Sequence, residues 1–155
     1  MIIFCDLDGT VADCSHRLGF IQPPVGSKKD WVSFLDPEFI KKDTPIPAAV
    51  RCVRKLLSQP NVLVYFLTGR PEKTRQVTEE WLCTHISPEN GSPLLMRGDA
   101  DYRPAEFYKQ EHILKIQALF PNHPAVFIDD EARNIQMFQN YGLVLRAPGC
   151  WDHML

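Results

Sequence analysis

Short runs of consecutive apolar residues recur along this chain, and most of them give way at once to polar residues. The runs cover 2–5, 62–67, 93–97, 125–128 and 143–145. Apolar runs of this length, rich in β-branched and aromatic side chains, are typical of strands buried on both faces of a sheet. The pattern therefore predicts five strands, the first two of them buried.

Between these runs, apolar residues recur at the spacing of a helix. Helices are predicted over 48–58, 71–85, 106–120 and 131–140. Strands that alternate with helices favour a single α/β domain over 1–155, with a Rossmann-like, mainly parallel sheet and helices on both faces. In the third helix the residues near helical spacing are Phe107, Ile113, Leu114, Ile116, Leu119 and Phe120.

Residues 11–45 interrupt this alternation. Their four prolines break any long element, so the segment is predicted to be an irregular excursion. A short amphipathic helix over 28–35 would form a small flap over the strand ends, where it either excludes water or plugs the core. The side chain of Trp31 could either stack on a nucleobase or pack in the core, and both alternatives stay open. For Trp81 and Phe107, helical spacing favours core packing.

Composition then narrows the function classes. The chain has 155 residues, 45% of them hydrophobic, a formal net charge of -2 and a pI near 6.2. This balance excludes a globally basic nucleic-acid binder but not a local basic patch. Five scattered cysteines without a Cys-x-x-Cys pair argue against a disulfide framework or a structural zinc site. With no leader-like start and no apolar stretch near the roughly 18 residues of a membrane span, we expect a cytoplasmic protein that begins directly with its fold.

Polar residues follow three of the predicted strands directly. They are Asp6 and Asp8, Thr68 and Arg70, and Asp129 and Asp130. The carboxyl ends of parallel strands meet at one edge of a sheet, so these side chains are expected to converge. Two unit charges about 4 Å apart repel by roughly 4 kcal/mol at an effective dielectric near 20, which four carboxylates can relieve by binding a cation. Ligation by oxygen alone favours Mg²⁺.

The same residues resemble the four motifs of the haloacid dehalogenase-like phosphohydrolases. The motifs are Asp6-Leu7-Asp8-Gly9-Thr10, Leu67-Thr68-Gly69-Arg70, a downstream lysine, and Ile128-Asp129-Asp130. A closer resemblance, to the 3′-phosphatase domain of phage-type polynucleotide kinase-phosphatases, lies in 68–72, 78–82, 96–104 and 108–111. The resemblance implies that fold with a small or absent cap. The sequence has no Gly-x-x-x-x-Gly-Lys-Ser/Thr segment, so any kinase or ligase activity is expected on a separate partner.

The resemblance also implies a Mg²⁺-dependent phosphomonoesterase that works through an aspartyl-phosphate. Asp6 would be the nucleophile, Asp8 the general acid and base, and Thr68 and Lys109 would bind the phosphoryl group. Lys115, on the same predicted helix, is the rival for the lysine. The implied metal ligands are Asp6, the Asp8 backbone carbonyl, Asp129 and Asp130, with one of the last two binding through water and the choice between them open.

Substrate contacts are expected from four arginines and a glycine at the same edge: Arg17, Gly69, Arg70, Arg97 and Arg103. For Arg97 and Arg103, pairing with Asp99 or Asp101 to order the loop is an equal alternative. The closer family carries an aspartate where this chain has Ala105, which puts efficiency or substrate class in question.

The expected substrate is a 3′-phosphate on a polynucleotide end or nucleotide. Two alternatives stay open: a nucleotidase or small-metabolite phosphatase on the same fold, and a catalytically silent nucleic-acid or partner-binding module. Turnover of an aryl phosphate would exclude the silent module, and preference for oligonucleotides over mononucleotides would separate the two enzymes.

Overall fold

The computed structural model describes residues 1–22, 24, 28–87 and 91–149. The strands are β1 (Ile2–Cys5), β2 (Ala12–Asp13), β3 (Thr44–Pro45), β4 (Leu63–Pro71), β5 (Leu94–Arg97), β6 (Ala125–Asp129) and β7 (Leu143–Arg146). The α-helices are α1 (Trp31–Phe34), α2 (Pro37–Ile40), α3 (Pro47–Leu57), α4 (Arg75–His85), α5 (Ala105–Leu119) and α6 (Ala132–Phe138). Two short 3₁₀ helices cover Ser15–Phe20 and Glu72–Thr74.

Within the described residues, five strands form a parallel sheet in the order β5-β4-β1-β6-β7. The predicted Rossmann-like α/β fold is confirmed. Strand β1 lies at the centre because its residues are apolar on both faces and can be covered from both sides. In register, Cys5 pairs with Phe66 of β4 and with Ile128 of β6, so the residues just beyond these three positions start at one level across the sheet.

Alternation along the strands divides the core into two layers. On β1, Ile3 and Cys5 face one apolar cluster, which α3 and α4 complete with side chains that include Val53 and Trp81. Ile2 and Phe4 face the opposite cluster, which α5 and α6 complete. Because successive strand side chains point to opposite faces, one short apolar strand supports helices on both sides of the sheet.

Helix α5 turns a different face to the sheet than its apolar residues predict. Phe107 is 52% exposed, so the core packing that helical spacing favoured for it was wrong, and Leu114 and Leu119 are exposed as well. The buried face instead carries Tyr108, Lys109 and Ile113. The reason is electrostatic, because rotating the helix to bury Phe107 would take Lys109 away from the carboxylates that it pairs with.

The segment 11–45 is more ordered than predicted where it is described. Strands β2 and β3 form a small antiparallel pair, and the side chains of Asp30 and Asp36 cap the short helices α1 and α2. A separate apolar cluster of Cys14, Leu18, Ile21 and Phe34 holds the segment together. Trp31 is half exposed and packs edge-on against Phe34. The prolines therefore prevent long elements but not short, capped turns.

Four of the five cysteines lie in the described part of the chain, and all four are free thiols. Cys5 and Cys14 are buried, and Cys52 and Cys83 are exposed, while Cys150 lies outside the described residues. Over the same part of the chain, no helix combines the length and the apolar composition that a membrane crossing requires.

Candidate active site

The candidate site lies at the carboxyl end of β1, between the ends of β4 and β6. The backbone N–H of Asp6 still donates to the Ile128 carbonyl at 2.9 Å, so the sheet fixes the backbone of this aspartate. Beyond it the chain turns through Gly9, whose φ of 78° favours a residue without a Cβ. The topology thus brings together polar residues that are 62 and 120 positions apart in sequence.

Lys109 lies at the centre of this edge. Its ammonium group donates to Asp6 at 2.9 Å and to Asp129 at 2.7 Å, and the residue is 2% exposed. Burial alone would lower the pKa of Lys109, but the Asp129 and Asp6 carboxylates outweigh it and raise that pKa well above the ordinary value. Lys115, the rival in the sequence, is exposed.

Asp129 has little free hydrogen-bonding capacity. Besides Lys109, it accepts from the backbone N–H of Glu131 at 2.9 Å and from the Asn134 amide at 3.1 and 3.2 Å. Asn134 is 3% exposed and was missed by sequence reasoning. Its position in the helix that begins just after Asp129 is the signal that could have found it, because that helix turns its first polar residues back toward the strand end.

Asp130 is held differently. Thr10 donates to its Oδ1 at 3.4 Å, whereas its buried Oδ2 has no hydrogen-bond partner among the described residues. A Cβ on Gly9 would stand 2.0 Å from Oδ2, and one on Gly149 would stand 3.0 Å from the same atom. Two glycines therefore leave this carboxylate room that side chains would fill.

Oxygen atoms of Asp6, Asp129 and Asp130 can lie within 4.8 Å of one another, and all three residues are buried. Burial raises the pKa of Asp6 to about 7, although the Lys109 ammonium opposes the rise. Burial and the carboxylates of Asp6 and Asp129 raise the pKa of Asp130 to about 9. One ammonium group cannot balance three ionised carboxylates, so without a cation Asp6 and Asp130 hold protons more tightly than usual, and Oδ2 of Asp130 has no hydrogen-bond partner among the described residues. The donor set fits a hard divalent cation.

Asp8 points away from this group and into a pair of arginines. Arg17 and Arg70 each donate to its Oδ1 at 2.5 Å, and both arginines are fully buried. Burial favours the neutral form of Asp8, but the guanidiniums of Arg70 and Arg17 outweigh it and hold its pKa well below the usual range. In this arrangement the two arginines bind Asp8 and are closed to solvent, and the substrate contact expected of them stays a prediction.

Asp43 completes this arrangement and was also missed. Its carboxylate accepts from Arg17 at 2.8 and 2.7 Å and from Arg70 at 2.7 Å, and Asp43 is 3% exposed. Trp81 donates to its backbone carbonyl at 2.8 Å, which explains why this tryptophan lies in the core. Asp43 comes from the segment 11–45, which sequence analysis treated as irregular, so nothing in its local pattern marked it.

Thr68 and Gly69 lie on the same edge, toward the end of β4. Thr68 is fully buried, and its hydroxyl accepts from the backbone N–H of Arg70 at 3.2 Å. The hydroxyl hydrogen is free for an acceptor on the far side, because accepting that bond leaves its own O–H unused. Gly69 is half-buried and adds no side chain between Thr68 and Tyr108.

Arg97, which ends β5, and Arg103 in the loop after it differ sharply in their contacts. Arg103 pairs with Asp101 at 2.7 Å and with Glu111 at 2.6 Å, which is the loop-ordering role offered as the alternative. Arg97 pairs with neither Asp99 nor Asp101; it donates to the Arg103 carbonyl at 3.0 Å and stacks over the Tyr108 ring. Among the described residues, Lys109 donates hydrogen bonds to Asp6 and Asp129, and neither comes from the part of the chain around Ala105. No nearby carboxylate of the described chain therefore takes the place of the aspartate that the family carries at position 105.

A family model described as the polynucleotide kinase PNKP phosphatase domain, of the haloacid dehalogenase-like class, matches residues 1–147. The chain belongs to this family. It is therefore a phosphatase domain, a phosphoric monoester hydrolase of the haloacid dehalogenase-like fold. No curated protein sequence is similar enough to count as a relative.

Solved structures agree with the family's fold. A chain from the Pnkp1/Rnl/Hen1 RNA repair complex superposes with a TM-score of 0.69 at 21% identity, covering 94% of this chain and 41% of that one. A haloacid dehalogenase-like hydrolase from Streptococcus pneumoniae gives 0.65 at 17% identity, covering 94% and 83%. L-2-haloacid dehalogenase from Xanthobacter autotrophicus gives 0.59 at 13% identity, covering 94% and 76%. The phosphatase domain thus spans about two-fifths of the RNA repair protein's chain.

Proposed function

We propose that this phosphatase domain is a Mg²⁺-dependent phosphomonoesterase that removes 3′-phosphates from polynucleotide ends or nucleotides through an aspartyl-phosphate on Asp6. The observation that carries the proposal is the buried Lys109 between Asp6 and Asp129, beside the unpartnered oxygen of Asp130. A nucleophilic carboxylate must be ionised, and burial works against that in Asp6. The Lys109 ammonium opposes this effect and also neutralises an incoming phosphoryl group.

Mg²⁺ would be held by Asp6 and Asp130, and Asp129 would reach it only through a water molecule or through its contact with Lys109. Asp129 already accepts from Lys109, Glu131 and Asn134, whereas Oδ2 of Asp130 has room and no partner among the described residues. The Asp8 backbone carbonyl is the further ligand that the family resemblance implies. When bound, the cation would neutralise the carboxylates and the phosphate oxygens and so favour attack by an anionic nucleophile.

Asp8 would act as general base toward the water that hydrolyses the aspartyl-phosphate, and as general acid toward the leaving alkoxide. Its two arginine partners favour the ionised form, which suits the base step. The acid step requires a proton on the same carboxyl, so the ion pairs with Arg17 and Arg70 must loosen when substrate binds. Thr68 would donate its hydroxyl hydrogen to a phosphoryl oxygen.

A separate kinase or ligase would work with this domain. Support comes from the structural neighbour in the Pnkp1/Rnl/Hen1 RNA repair complex, whose chain is more than twice as long. The identity of 21% carries only the fold, so this partnership rests on analogy of architecture.

The test is phosphate release from a 3′-phosphorylated oligonucleotide, with and without Mg²⁺, by the wild type and by Asp6→Asn. We expect Mg²⁺-dependent release that the variant lacks, and a labelled aspartyl-phosphate in acid-quenched wild type only. Turnover of small phosphate esters without release from the oligonucleotide would instead identify a nucleotidase or metabolite phosphatase. No turnover of any ester, with Mg²⁺ present, would identify a silent binding module.

A further inference from the structure

Among the described residues, Arg97 differs from its arginine neighbours in having no carboxylate within ion-pair distance, although its charge also acts on Asp101 at longer range. Arg17, Arg70, Arg75 and Arg103 all form ion pairs. Arg97 is half-buried, its Nη1 donates to a backbone carbonyl, and its buried Nε has no partner among the described residues. A partly buried guanidinium without a carboxylate in contact is poised to take an anion.

Tyr108 holds this guanidinium in place. The central carbon of the Arg97 guanidinium lies 4.8 Å from the centre of the Tyr108 ring, a cation–π arrangement that fixes the orientation of the guanidinium plane. The tyrosine is 2% exposed, and its hydroxyl has no hydrogen-bond partner in the described chain. A buried hydroxyl without a partner is costly, so a ligand oxygen or water is expected to complete it.

The pair lies beside the phosphate site. Tyr108 immediately precedes Lys109 on α5, and its hydroxyl lies 3.8 Å from the point where a Cβ on Gly69 would stand. Arg97 ends β5, the strand next to β4, and pairs in register with Pro71. Two strand spacings, roughly 10 Å in all, separate the lines of β1 and β5 across the sheet. Arg97 therefore lies too far from Asp6 to contact the phosphorus that Asp6 would attack, but within reach of the next group along the substrate.

We propose that Arg97 and Tyr108 bind a second phosphate of the substrate, the phosphodiester that precedes the terminal nucleotide. This inference rests on the proposed function and narrows it, because a mononucleotide lacks that phosphodiester. The guanidinium supplies the charge and a planar pair of donors, and the tyrosine hydroxyl supplies a third donor. Arg103 does not contribute, since Asp101 and Glu111 already neutralise it. The substrate class is therefore a polynucleotide end of at least two nucleotides.

The test compares four substrates: a dinucleotide with a 3′-phosphate, the same dinucleotide with a neutral methylphosphonate link, a nucleoside 3′-phosphate and an aryl phosphate. For the wild type we expect the neutral link to raise KM and to lower kcat/KM about 10- to 100-fold, the range of one charged hydrogen-bonded contact. Arg97→Gln should cause the same loss on the charged dinucleotide and little further loss on the other three. Arg97→Lys should recover part of the loss, and Arg103→Gln, which removes the same charge from a neutralised residue, should change kcat/KM much less.

Tyr108→Phe keeps the ring under Arg97 and removes only the hydroxyl, so a smaller loss of about 2- to 10-fold on the charged dinucleotide is expected. Equal losses on all four substrates, or a wild type indifferent to the methylphosphonate, would overturn the inference. A nucleoside 3′,5′-bisphosphate offers a monoester at the same place, and dependence on Arg97 with that compound alone would overturn the polynucleotide assignment.

Failure of the proposed function has a separate signature. If the wild type hydrolyses neither the aryl phosphate nor the dinucleotide, the proposed function is wrong, and binding still decides the inference. In the Asp6→Asn background, dinucleotide affinity measured by calorimetry should fall about 10-fold or more on adding Arg97→Gln. Unchanged affinity there would refute the second-phosphate site.

Discussion

Replacing Lys109 with methionine tests the electrostatic design of the site most directly. The change keeps most of the side-chain stem and removes the ammonium group that Asp6 and Asp129 share at 2.9 and 2.7 Å. Breaking a buried ion pair by removing one partner costs about 3–5 kcal/mol. Because protonation of Asp6, whose pKa is already about 7, relieves part of the strain, we expect the lower half of that range. For a domain of this size the melting temperature should fall by roughly 6–16 °C.

The same variant should respond more strongly to Mg²⁺ than the wild type does. Without Lys109 the three carboxylates of the candidate metal group have lost the cation that the chain supplies, so binding a divalent ion relieves more repulsion. We therefore expect Mg²⁺ to raise the melting temperature of Lys109→Met by more than that of the wild type, while phosphatase activity stays at least 100-fold lower.

Thermal unfolding followed by circular dichroism, in EDTA and in Mg²⁺, measures both effects. Lys115→Met is the matched control, because Lys115 is an exposed lysine on the same helix, where such substitutions usually change stability by less than about 0.5 kcal/mol. Equal melting temperatures for the two variants in EDTA would refute the buried ion-pair reasoning. A smaller Mg²⁺ response in Lys109→Met than in wild type would refute the account of the metal group.

Three further predictions follow from the site. Asp43→Asn weakens the buried carboxylate that holds both arginines, so the melting temperature should drop and phosphatase activity should fall at least tenfold; an unchanged melting temperature would contradict this role. In EDTA, the free energy of unfolding measured with urea should rise as the pH falls from about 9 to about 5. The folded pKa values of about 7 for Asp6 and about 9 for Asp130 exceed the unfolded ones, so the folded chain binds more protons over this range. Mg²⁺ should flatten this dependence on pH, and a free energy of unfolding that rises with pH in EDTA would contradict the prediction. Gly9→Ala should weaken Mg²⁺ binding by calorimetry at least tenfold because its Cβ would stand 2.0 Å from Asp130, whereas Gly19→Ala, with nothing within 4 Å, should leave binding unchanged.

The sequence was sufficient for the sheet and for the residues at its edge. Continuous apolar runs locate β1, β4 and β6, and the two-residue period of a strand explains why each could support helices on both faces. The candidate metal residues follow these runs directly, so a fold-level argument places them together. Local spacing was enough here because the sheet itself supplies the three-dimensional arrangement.

Residues whose position depends on tertiary contacts were not predictable in this way. Asp43 comes from a segment without periodicity, and only its contacts with Arg17 and Arg70 reveal its place. Phe107 follows the apolar spacing of α5 yet lies exposed, because α5 turns the face with Lys109 toward the carboxylates of the site. The two buried ion pairs of Lys109 outweighed the apolar pattern at that position.

The strand order has a consequence for synthesis on the ribosome. β1 takes the middle of the sheet, and its second neighbour, β6, ends at Asp129, 58 residues after β4 ends at Pro71. At about 5–20 residues per second, roughly 3–12 seconds pass during which one edge of β1 has no partner. The side chains of β1 are apolar, and its unpaired backbone N–H and C=O groups on that side are open to pairing with other chains. A chain interrupted before β6 would therefore tend to aggregate rather than persist as a soluble inactive fragment.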